Sequence, residues 1–154
     1  MSNNNTDKLI LSPDSFLNLL TTLVNYFGSA GESMIFQMGR ENGRVFSKEV
    51  LSKQREDQGS LEQRFRLIIE QASKIGWADM HVEEFNTDNG SIRVVLKDNI
   101  FKTYCIKIDL PQCYFLRGYL AGIIKELTNM DYSFEDSQCY AHGDKHCSIR
   151  MITG

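Results

Sequence analysis

Apolar side chains recur at intervals of three and four along the first half of the chain, and alternation takes over in the second half. Phe16, Leu19, Leu20, Leu23, Val24 and Phe27 form one long face, the spacing of an amphipathic helix. Ser12-Pro13-Asp14 supplies its start: a cap residue, proline at the first helical position, then an acid. Gly28 to Gly31 end it. From Glu32 to Leu51 the pattern is again helical through Met34, Ile35, Met38, Val45 and Phe46, with Gly39 and Gly43 inside it. Glycines so spaced let two backbones approach closely, within the fold or between subunits. The alternative is a loop joining two shorter helices. Lys48 to Gly59 is charged and reads as solvated. Ser60 to Ile75 predicts a third helix, with Leu61, Phe65, Ile68, Ile69 and Ala72 on one side and Gly76 as its stop.

Ala78 to Phe85 and Ser91 to Asp98 read as strands flanking the turn cluster Asn86 to Gly90. Phe101 to Leu110 alternates and reads as a third strand. The last helix, Gln112 to Asn129, carries Phe115, Leu116, Tyr119, Leu120, Ile123, Ile124 and Leu127 on a broad apolar face. Gly118, Ala121 and Gly122 thin the rest of its surface, so that it can lie close to the sheet. Tyr132 to Tyr140 and Lys145 to Thr153 close the chain as a β-hairpin around Ala141-His142-Gly143-Asp144. Helices, then strands, a helix and a hairpin predict an α+β fold, with N-terminal helices packed on an antiparallel sheet. The expected organisation is a flexible tail over residues 1–11 and a single domain over 12–154.

Composition narrows the function classes. A chain of 154 residues is one domain's worth, and 42% hydrophobic with 24% charged residues is ordinary for a globular protein. A net charge of −3 leaves no basic footprint for nucleic acid or lipid. No apolar run approaches the ~18 residues of a membrane span, and the Asn-rich start is not a signal peptide. The cytoplasm is the expected compartment. Four cysteines there argue against a disulfide framework and toward metal or free thiols. No phosphate-binding glycine loop, metalloprotease helix or nucleophile–base pair is present, so the sequence supports no catalytic site.

The hairpin concentrates the remaining chemistry. With Gly143 at the turn, Cys139 and Cys147 lie symmetrically about it and project to one face, and Ile149 and Met151 mark that face as the core side. Two thiols so placed are a disulfide, two free thiols or half a metal site. Cys113 follows Pro111 at a helix start, where the helix dipole favours thiolate. With Asp136 the donor count reaches four, as a closed structural zinc site requires, and four protein ligands leave no position for catalytic water. Asp136 and Cys139 are three residues apart, so sharing a face requires a bulge near Ser137. Glu135, His142 and His146 are the alternative fourth ligands. Lys145 or backbone N–H groups would offset the site's negative charge. Cys105 reads as a packed or free thiol.

Cys113-x5-Tyr119-x2-Gly122 followed by Asp136-x2-Cys139-x3-Gly143-x3-Cys147 resembles the closing signature of the 4-vinyl-reductase-type small-molecule-binding domain. That domain is the sensor module of phenol-responsive activators and is related in fold to TRAPP vesicle-transport subunits and heme-nitric-oxide-binding domains. The resemblance extends over about residues 13–153. It implies zinc held by Cys113, Cys139, Cys147 and an acid, for which Asp136 stands where glutamate is usual. It also implies a cavity between helices and sheet for a small apolar or aromatic molecule. Phe36, Trp77, Phe101, Tyr104, Phe115 and Tyr119 are the candidate lining residues here, with His81 as a polar anchor. The expected function is a zinc-stabilised, non-enzymatic sensor domain, acting as a homodimer through an output partner the sequence does not name. The alternatives are an interaction module without ligand and an accessory component of tetrapyrrole vinyl reduction.

Overall fold

The computed structural model describes residues 9–54, 59–102, 113–135 and 138–153. Asp136, Tyr104, Cys105, Pro111 and nearly all of the expected strand 101–110 lie outside the described residues.

Helix α1 spans Pro13–Phe27, with the Ser12 hydroxyl accepting from the Ser15 N–H at 3.2 Å as the cap pattern predicts. It buries Leu20 and packs Phe16, Leu17, Leu23 and Val24 on the core, but Leu19 and Phe27 face solvent. Only Gly28, at φ +53°, separates it from α2, Ser29–Ser52. Helix α2 thus starts three residues before the expected Glu32 and runs unbroken through Gly39 and Gly43, which overturns the looped alternative. Helix α3, Leu61–Lys74, begins in a capping box: Ser60 Oγ accepts from the Gln63 N–H, and Gln63 Oε1 accepts from the Ser60 N–H at 2.8 Å.

Strands β1, Asp79–Asn86, and β2, Ser91–Lys97, form the first hairpin. Helix α4, Tyr114–Thr128, follows, then β3, Tyr132–Phe134, and β4, Cys147–Thr153. The four strands form an antiparallel sheet in the order β1-β2-β4-β3. The fold is α+β, as the pattern predicts. The closing hairpin is shorter than expected, because a 3-10 turn at Tyr140–His142 occupies its tip. Leu96 pairs with Cys147 and Ile92 with Met151, so the central strands bury Ile92, Val94, Leu96, Ile149 and Met151.

The glycines organise the helices. A Cβ on Gly39 would overlap the Phe115 carbonyl, and one on Gly43 the Tyr119 carbonyl. Reciprocally, a Cβ on Gly118 would overlap the Phe36 carbonyl and one on Gly122 the Arg40 carbonyl. Partner numbers rise together, so α2 and α4 run parallel with their N-termini at one end. Gly118 and Gly122 therefore thin α4 against α2, not against the sheet as expected. The close approach lies within the fold.

Candidate metal centre and neighbouring clefts

Helix α4 begins at Tyr114, two residues after the expected Gln112, and Cys113 is its N-cap residue. Cys113 has φ +40° and ψ +49°, a left-handed conformation that cysteine seldom adopts. Its side chain is 7% exposed, and it meets Cys139 and Cys147, each 2% exposed. All three Sγ atoms lie within 4.8 Å of one another, and Cys139 and Cys147 are 3.9 Å apart.

Local chain geometry explains the meeting. The Glu135 N–H donates to the Arg150 carbonyl and the Ser148 N–H to the Gln138 carbonyl. Three steps on one limb thus oppose two on the other, the count that a bulge supplies and that the sequence requires near Ser137. Beyond it, Asp144 Oδ2 accepts from the Cys139 N–H at 2.8 Å, and the Cys139 carbonyl accepts from the His142 N–H at 2.9 Å. Gly143, at φ +87°, completes this tight loop, and Cys147 returns opposite Cys139.

The thiols are poised as thiolates. Hydrogen bonding from Cys113 pulls Cys139 down to about 6 against the opposing effect of burial, with a backbone N–H of Ala141 assisting. Cys147 is lowered by the same thiol and by the Tyr140 N–H, 3.4 Å from its sulfur. Tetrahedral zinc with Zn–S near 2.3 Å separates its sulfurs by roughly 3.8 Å. The 3.9 Å spacing fits a shared cation and is far beyond a sulfur–sulfur bond. The residues present therefore fit a metal ion. Glu135, His142 and His146 are not part of the trio, and Glu135 pairs with Arg150 at 3.5 Å.

The expected pocket residues separate. Trp77, Phe101 and Phe115 cluster with Phe16, with centroids 5.1–6.4 Å apart, and Tyr119 stacks on Phe115. Trp77 and Phe16 border a cleft of about 650 Å³ closed by Leu9–Pro13, Val45, Phe46 and Ile100. Phe36 stands elsewhere: it meets Phe134 edge-to-face at 5.9 Å and lines a second cleft of about 430 Å³ with Tyr114 and Arg117. His81 is exposed on β1 and pairs with Asp79 at 3.0 Å, because strand alternation buries Met80 and turns its neighbour outward. It anchors no pocket.

Trp77 Nε1, the Tyr119 hydroxyl and both side-chain amide atoms of Asn99 are buried without a hydrogen-bond partner among the described residues. Burial pushes the Tyr119 phenol pKa far up, so it stays protonated. Phe16, Asn99 and Arg117 are site residues that the sequence reading misses. Helical periodicity marks Phe16 as inward-facing, but no sequence signal singles out Asn99 or Arg117.

Comparison with known proteins bears on the same region. Residues 92–153 match the family model of the vinyl-4-reductase domain. An uncharacterized protein of Methanocaldococcus jannaschii is 37% identical over 60 residues, 38% of this chain and 26% of that protein. The match thus spans about a quarter of the curated relative. The crystal structure of the phenol-responsive sensory domain of the transcription activator PoxR, with phenol, superposes at TM-score 0.81 and 15% identity, covering 95% of this chain and 76% of that one. A trafficking protein particle complex subunit 3 from Naegleria fowleri, covalently bound to palmitic acid, superposes at 0.63 and 18% identity, covering 92% of each. The chain carries a vinyl-4-reductase domain over residues 92–153, set in a fold it shares with a phenol-responsive sensory domain and a trafficking-complex subunit.

Proposed function

We propose that this protein is a small-molecule-binding sensor domain, without catalysis of its own, whose shape is fixed by zinc held by Cys113, Cys139, Cys147 and Asp136. The observation that carries the reading is the buried thiol trio at the junction of α4 with the terminal strands. When bound, the ion would supply a cross-link between that helix start and the closing loop. The chain's own residues do the rest. The Asp144 carboxylate and the left-handed Cys113 backbone present the sulfurs, and the aromatic cluster of Phe16, Trp77, Phe101 and Phe115 offers an apolar wall. The unpaired Trp77 Nε1 and Tyr119 hydroxyl favour a ligand that carries a hydrogen-bonding atom, since buried polar atoms are normally satisfied.

A thermal-shift screen with phenols, fatty acids and tetrapyrroles tests the ligand. A ligand at a hundredfold its Kd stabilises by about 2.7 kcal/mol and shifts the melting point visibly. No shift with any class contradicts the pocket. Output requires a partner, and a homodimer would cover the exposed Leu19, Tyr26, Phe27, Met34 and Met38. Those same side chains favour the second reading, an interaction module with no ligand. Sedimentation as a monomer at micromolar concentration would remove the dimer. No helix among the described residues is long and apolar enough to cross a membrane.

A further inference from the structure

We propose that Arg117 is the residue that balances the charge of the metal centre and holds its two halves in register, an inference that rests on the zinc reading above. Three thiolates around a divalent cation leave a net negative site, more so with a carboxylate, and a buried charge of that kind needs a nearby opposite charge. Lys145, the cation expected from sequence, is exposed in the loop. Arg117 is better placed. Its backbone N–H donates to the Cys113 carbonyl at 3.0 Å, so it leaves α4 from the same turn as the first thiol. Its guanidinium lies over the Phe134 ring, 5.6 Å from the centroid. Phe134 ends β3 and leads directly into the limb that delivers Cys139. The cation thus stands between the two segments that supply the sulfurs.

Electrostatics agree with the placement. Burial lowers the basicity of Arg117, and the charges of Cys113, Tyr114 and Cys139 oppose that loss. Arginine suits the position better than lysine because its planar head can stack on Phe134 while its N–H groups fork toward anionic atoms.

Zinc titration against a competing chelator, on the parent, Arg117→Met and Arg117→Lys, tests the assignment. Supporting groups around metal ligands typically change affinity by about 10–100-fold, and that loss is expected for Arg117→Met. Arg117→Lys keeps the charge and is expected to recover most of it. Should Arg117→Met fail to fold, Arg117→Gln replaces it with the same expectation. Affinity within twofold of the parent in the neutral variant overturns the proposal. So does a lysine variant as weak as the neutral one, which would make the role packing alone. A parent that binds no zinc overturns this inference together with the zinc reading; a parent that binds normally while the neutral variant is unchanged overturns only the role of Arg117.

Discussion

Cys113 holds a backbone conformation that costs a non-glycine residue about 1–3 kcal/mol. Such a cost persists only where the surroundings over-determine it, and here it aims the thiol at Cys139 and Cys147. The sequence reveals the thiols through their spacing about Gly143, but not this strain, because backbone angles at a cap depend on what the side chain must reach. Cys147→Ser keeps size and removes one sulfur. It is expected to lower the melting point of protein as purified by roughly 5–10 °C, the scale of a few kcal/mol in a chain this long. Chelator should produce a similar drop in the parent and little further change in the variant. Equal chelator sensitivity in both would show that Cys147 does not hold the ion.

The pairing of α2 with α4 decides which surfaces remain for function. Gly39 and Gly43 interlock with Gly118 and Gly122 until backbone carbonyls occupy the space of the missing Cβ atoms. Each glycine pair is legible as a spacing, but their mutual partnership is not. A helical pattern says that a face is thin without saying what it meets, and for that reason the pattern alone sets α4 against the sheet. Gly39→Ala forces the Phe115 carbonyl away and is expected to cost about 1–3 kcal/mol in urea unfolding, the range of core overpacking. Alanine at Gly143 instead meets open space and loses only the left-handed freedom of the turn. Unchanged stability in Gly39→Ala would mean that the two helices are not so closely seated. The parallel packing also brings the starts of α2 and α4 to one end, beside Arg117 and the Phe36–Phe134 contact.

At the level of the whole molecule, the α+β order of elements is readable because each helix and strand carries its own period. The cavity is not. Residue type groups Phe36 with Trp77, yet they border different clefts, and His81 sits on the outward phase of β1. Which aromatic rings share a space is a property of helix crossing, which no local pattern encodes. What unifies the molecule is the tie between the beginning of α4 and the loop after β3, for it joins the helical layer to the last two strands. X-ray absorption at the zinc edge, on protein purified without added metal, tests that tie most directly. The account predicts about one zinc per chain, with three sulfurs near 2.3 Å and one light-atom ligand in the coordination sphere. Metal-free protein that melts at the same temperature as zinc-loaded protein, or zinc with fewer than three sulfurs, would contradict it.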